Sequence, residues 1–112
     1  MTYSKLNKFD ADSQEIARIA KALSHPARIA ILKFLAKSKT CISGDISNEI
    51  PLSRTTVSQH LQELKKAGLI HGEIDGIKIN YCLCQSCITK YRSLFDDFFK
   101  ETDIEIKCNT NC

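Results

Sequence analysis

A chain of 112 residues with 43% hydrophobic and 26% charged residues fits one folded domain and excludes a disordered one. No run approaches the roughly 20 apolar residues of a membrane span, and the opening "MTYSKLNKFD" lacks the apolar core of a signal peptide. These features predict a soluble, cytoplasmic protein with no membrane partner. The net charge of +3 is unevenly spread, with eleven Lys/Arg against six Asp/Glu in residues 1–72 and five against seven in residues 73–112, so a polyanion belongs on the first part.

In chain order, residues 1–11 read as a short arm. "DSQEIARIAKALS" spaces Ile16, Ile19, Ala20 and Leu23 as one helical face, with Asp12 or Ser13 as its N-cap. "HPARIAILKFLAKS" restarts a helix with Pro26 in its first turn and Ile31, Leu32 and Leu35 on its apolar side. "ISGDISNE", residues 42–49, predicts a short helix that Pro51 ends, and Ser53 can cap the next one. "RTTVSQHLQELKKAG" runs to Gly68, which suits a left-handed residue just beyond a helix end.

The hydrophobic period then changes from helical to alternating. "LIHGEIDGIKINYCLC" holds two short strands around Asp75–Gly76, a hairpin signal. Ile77, Ile79, Tyr81 and Leu83 share one face of the second strand, and Lys78, Asn80, Cys82 and Cys84 share the other. "SCITKYRSLFDDFFKE" returns to helix, with Ile88, Tyr91, Phe95 and Phe98 or Phe99 as its stripe. Residues 102–112 form a tail. The predicted organisation is an arm (1–11), a domain (12–101) and a cysteine-bearing tail (102–112). The element order α-α-α-α-β-β-α, mainly α with a small β-hairpin wing, describes a winged helix-turn-helix.

Within the helix over 54–66, Val57, Leu61 and Leu64 recur at core spacing. Arg54, Thr55, Ser58, Gln59 and Gln62 then face outward. These are short or bidentate hydrogen-bonding side chains, suited to base edges in a major groove, and Arg54 and Ser58 also suit phosphate. An ordinary solvated helix face has the same composition, and so does a winged helix that meets a protein partner. In the wing, Lys78 is the lone cation beside Glu73 and Asp75, which predicts a weak grip on the DNA backbone.

Together, "AKALSHPARIAILKFL", "LSRTTVSQHLQELKKAGLI" and "GIKINYCL" resemble the ArsR/SmtB family of metal-sensing winged-helix repressors over roughly residues 12–100. The resemblance implies a homodimer formed through the first and last helices, one recognition helix per half-site of double-stranded operator DNA, and repression lifted by an inducer. By position, Arg54, Thr55, Ser58 and Gln59 match the family's DNA-contacting residues. His60 matches a position usually held by His, where a structural role is expected beside Leu61. Two family inducer sites are missing from this sequence. "CISGDI" lacks the Cys-x-Cys of the arsenic-sensing third helix, and residues 86–101 contain no His to complete a zinc site with Asp96 and Asp97.

Six cysteines in a cytoplasmic chain point to metal or redox chemistry. Cys41 stands alone and reads as a buried apolar thiol. The other five cluster: Cys84 and Cys87 have knuckle spacing, Cys108 and Cys112 form a second pair, and Cys82 lies on the same strand face as Cys84, roughly 7 Å away. His25, His60 and His71 are expected to be non-ligands. The helix between the pairs, taken as 16 residues, spans about 24 Å. An extended tail can just return that distance, and in the antiparallel dimer that the resemblance implies the tail of one subunit meets Cys84 and Cys87 of the other. An all-thiolate set selects soft ions. Three sulfurs favour As(III) or Sb(III) as inducer, and four in a tetrahedron favour zinc or cadmium; Zn, Cd or Pb sensing, structural zinc and thiol-redox sensing are the alternatives. Catalysis is not expected, since Cys84-x-x-Cys87 lacks a thioredoxin-like βαβ context and no nucleotide loop or acid/base pair is present.

Overall fold

The computed structural model describes residues 8–38, 41–43, 46–75 and 78–107. Helix α1 (Ala11–Ala22) begins at Asp10, whose carboxylate accepts the Ser13 N–H at 2.7 Å. Those Ser13 hydrogen bonds hold the Asp10 carboxyl below the usual range. The predicted caps Asp12 and Ser13 therefore sit inside the first turn, because Asp10 already supplies the acceptor that the free N–H groups need. Helix α2 (Pro26–Ser38) starts at the expected proline. His25 closes its first turn, its Nδ1 accepting the Ala27 N–H at 3.0 Å and its carbonyl the Arg28 N–H at 2.9 Å.

The short helix expected over 42–49 is not formed. Ile42–Ser43 is instead a strand, β1, and Ile46–Asn48 is a single 3-10 turn. Gly44, Asp45 and two serines make this stretch a poor helix former, and the edge of a neighbouring strand is available for pairing. Strands β2 (Ile70–Asp75) and β3 (Lys78–Leu83) form the expected hairpin, and β1 joins it to give an antiparallel sheet in the order β1-β3-β2. The Gly76–Ile77 link lies outside the described residues.

Helix α3 (Arg54–Lys66) is capped by Ser53, whose hydroxyl accepts the Thr56 N–H at 3.3 Å. At its other end Gly68 has φ 81°, as expected of a left-handed terminator. The Leu69 N–H reaches the Leu64 carbonyl at 3.1 Å and the Gly68 N–H reaches the Lys65 carbonyl at 3.0 Å, the paired bonds of a Schellman close. Helix α4 (Gln85–Thr102) follows the sheet. None of the described helices is long and apolar enough to cross a membrane.

The core gathers Ile19 from α1, Ile31 and Leu35 from α2, Val57, Leu61 and Leu64 from α3, and Tyr81 and Tyr91 from β3 and α4. On α1 the buried small residue is Ala22, and Ala20 faces solvent, since the real stripe runs through Ile19 and Ala22 at three-residue spacing. Along α4 only Tyr91 is buried, while Phe98 and Phe99 are exposed.

Candidate nucleic-acid interface and thiol sites

Helix α3 turns Val57, His60, Leu61 and Leu64 inward. Arg54, Thr55, Ser58, Gln59 and Gln62 are all exposed, as predicted for a face that reads DNA. The Lys78 side chain lies outside the described residues. No acidic residue stands in the first turn of α3, so the positive end of the helix is left for an anion. The arrangement offers a polar, hydrogen-bonding surface on a helix held rigidly from behind.

What holds it is a set of contacts that the sequence did not announce. Arg28 on α2 donates from Nε to His60 Nδ1 at 3.1 Å and from a terminal nitrogen to the Ala22 carbonyl at 3.2 Å. His60 is buried, and its ring packs against that of His25 with centroids 4.3 Å apart. Burial, then His25, then Arg28, push its pKa below the ordinary histidine value, and its Nδ1 serves as the acceptor for Arg28. At the end of α3 the Ala67 carbonyl accepts from Arg18 of α1 at 3.0 Å and from the Tyr91 hydroxyl of α4 at 3.2 Å. Arg18 also donates to the Tyr91 oxygen at 3.1 Å and pairs with Glu15. A single backbone oxygen thus ties both outer helices to the reading helix. Sequence offers one trace of this lock: Gly68, where a Cβ would stand 3.1 Å from the Tyr91 hydroxyl.

Among the described residues, Cys82 does not group with Cys84 and Cys87. Cys84 and Cys87 are bonded to each other, with Cα atoms 5.2 Å apart. Cys84 is the N-cap residue of α4, so its sulfur and that of Cys87 sit at the positive end of that helix, where an anionic sulfur is favoured. Its N–H donates to the Leu69 carbonyl at 3.0 Å, and its Sγ lies 3.7 Å from the Ser86 hydroxyl. Cys82, expected beside Cys84 and Cys87, is paired elsewhere. It is buried and bonded to Cys41, 41 positions earlier, with Cα atoms 4.3 Å apart. The reason is β1: it brings Cys41 beside β3, whereas Cys84 lies beyond the end of β3 and caps α4. Cys41, expected to be a solitary buried thiol, is exposed and paired. Cys108 and Cys112, and with them the predicted meeting of the two thiol pairs, lie outside the described residues.

Residues 25–71 match the family model described as "Bacterial regulatory protein, arsR family". The HTH-type transcriptional regulator YgaV of Escherichia coli is 32% identical over 71% of this chain and 81% of its own length. Among solved structures, an ArsR-like transcriptional regulator from Rhodococcus sp. RHA1 superposes with TM-score 0.68 at 26% identity, covering 81% of this chain and 85% of that one. A homodimeric winged helix-turn-helix DNA-binding domain from Mycobacterium bovis shares the fold, with TM-score 0.62 at 24% identity over 91% and 96% of the two chains. With its reading helix, wing and flanking helices so arranged, the chain belongs to the arsR family of bacterial regulatory proteins, as a transcriptional regulator and not an enzyme.

Proposed function

We propose that this regulator is a repressor that binds operator DNA as a homodimer and lets go when As(III) or Sb(III) is captured by thiolates anchored on Cys84 and Cys87. In this reading Arg54, Thr55, Ser58, Gln59 and Gln62 contact the DNA, with Lys78 on the wing. Cys108 and Cys112 of the tail complete the sulfur set. The exposed Phe98 and Phe99 of α4 support pairing of subunits through the outer helices, since apolar rings at a helix end favour a partner.

The observation that carries the proposal is the wiring of the Cys84–Cys87 corner. Cys84 is hydrogen-bonded to Leu69, the second residue beyond the C-cap of α3, and Tyr91, one turn of α4 past Cys87, is bonded to Ala67 at that cap. An ion drawing the two sulfurs and the tail together would pull on the start of α4. That pull reaches α3 through Leu69 and Ala67. Release requires only that the inducer bind the DNA-free arrangement more tightly than the DNA-bound one.

The test is a fluorescence-anisotropy titration of the fully reduced protein on its promoter DNA with As(III), Sb(III), Zn(II) and Cd(II). Selective release by a trivalent metalloid supports the proposal. Release by Zn(II) or Cd(II) alone refutes it in favour of divalent sensing. One observation favours a second reading, thiol-redox sensing: both described cysteine pairs are bonded. That reading requires oxidised protein, free of any metal, to lose DNA that reduced protein holds.

A further inference from the structure

The bond between Cys41 and Cys82 lies on a face of the sheet that carries more than sulfur. In the register of β2 and β3, His71 stands directly opposite Cys82, and Glu73 stands opposite Asn80. Strand alternation places His71 and Glu73 on one face of β2, and Cys82 and Asn80 on the matching face of β3. Ligand atoms of His71, Glu73 and Cys82 all fall within 4.8 Å of one another, and the Cys41 sulfur is attached to that of Cys82. Strands β2 and β3 thus deliver a sulfur, an imidazole and a carboxylate to one spot, and Cys41, just before β1, brings a second sulfur against that of Cys82.

Two further features set this spot apart from a purely structural crosslink. Cys82 is buried at the edge of a hollow that Cys41, Leu35, Ala36 and Ile88 also line, so the disulfide is reached from the surface. On the same face, one register row from Cys82, the Asn80 Oδ1 is a buried acceptor without a donor among the described residues. Buried acceptors are normally satisfied, and a water held by a cation would supply the missing donor. Cys41, His71 and Glu73 are exposed, so an ion has access.

We propose that Cys41, His71, Glu73 and Cys82 form a redox-gated site for a divalent cation of the zinc class. In the disulfide form the two sulfurs are bonded to each other and cannot ligate. A dithiol reductant supplies two electrons and two protons, the S–S bond breaks, two thiols form, and the reductant becomes a disulfide. The cation then displaces the thiol protons to solvent and takes two thiolates, one imidazole nitrogen and one carboxylate oxygen, a mixed four-donor set that suits zinc. A trivalent metalloid wants three sulfurs, and this corner has two. The site is separate in residues and in ion class from the Cys84–Cys87 corner.

The experiment uses full-length protein in which Cys84, Cys87, Cys108 and Cys112 are all replaced by serine, reduced with a phosphine and titrated with Co(II) as the optical probe. The site requires one Co(II) per chain, with sulfur-to-cobalt charge transfer and the visible bands of a tetrahedral ion, and displacement by Zn(II). Diamide-oxidised protein must show neither. In the same background His71→Ala and Glu73→Gln, both at exposed positions, must each weaken binding by at least about tenfold, the loss that even an outer-shell partner produces. Absence of the cobalt bands in reduced protein overturns the proposal, and so does unchanged affinity in either variant while circular dichroism shows the fold intact. Failure of the metalloid response leaves this result untouched, because the probe protein lacks that corner altogether.

Discussion

The two cysteine pairs differ in everything but chemistry. Cys84 and Cys87 are three positions apart, at the mouth of a helix, and their proximity follows from local backbone geometry alone. Cys41 and Cys82 are 41 positions apart and meet only because the sheet has a third strand. The first pair sits at the start of α4, which is hydrogen-bonded to the end of α3 and the residues just beyond it; the second joins the approach to the helix-turn-helix to the wing. The difference teaches that a thiol count says little until each sulfur is assigned to a local or a tertiary site.

Stability measurements separate the pairs most strongly. By the chain-entropy argument, closing a 41-residue loop stabilises by roughly 4 kcal/mol and a three-residue loop by roughly 2 kcal/mol. Under oxidising conditions Cys41→Ser/Cys82→Ser should therefore lower the urea midpoint well beyond Cys84→Ser/Cys87→Ser. Equal losses would mean that the cross-strand bond does not fasten β1 to β3.

The lock between α4 and α3 is the next lever. Gly68→Ala places a Cβ at a positive φ and 3.1 Å from the Tyr91 hydroxyl, and should cost about 1–2 kcal/mol in thermal or chemical unfolding. Tyr91→Phe removes the donor to the Ala67 carbonyl, but Arg18 still serves that oxygen, so the loss should be about 1 kcal/mol. If the Cys84–Cys87 corner acts through this lock, Tyr91→Phe should also blunt inducer-driven release of DNA while leaving inducer-free affinity nearly intact.

The smallest effect is a pH dependence that involves neither pair. His60 has its pKa depressed in the folded state, so the unfolded chain binds the proton more readily. Its contribution is complete above the unfolded histidine value of about 6.5 and is lost as pH falls through the lower folded value. Comparing urea midpoints at pH 7.5 and pH 5.5 should show a drop in the parent that is reduced in His60→Asn. An identical drop in both proteins would remove His60 as its source.

Much of this molecule is legible in its sequence because it is written in local signals. Pro26, Ser53 and Gly68 stand at the expected helix boundaries, and the change from helical to alternating period marks the hairpin. The outward face of α3 follows from the spacing of Val57, Leu61 and Leu64. What sequence reading missed depends on partners far along the chain. Ile42–Ser43 is a strand only because β3 has an edge to offer, and Cys41 acquires its partner by the same event. The nearness of His71 to Cys82 was within reach, since the hairpin signal in the sequence limits the register, and the observed register sets them opposite each other. The roles of Arg18, Arg28 and Tyr91 had no local signature. Each satisfies a helix-end carbonyl belonging to another element.

The most direct measurement compares wild-type protein with Cys84→Ser/Cys87→Ser, both reduced and bound to the same promoter DNA, while As(III) is added and anisotropy followed. The account predicts release of the wild type and none of the variant, at matched affinity before addition. Release of both proteins at the same As(III) concentration would contradict it, and would place the inducer site elsewhere in the chain.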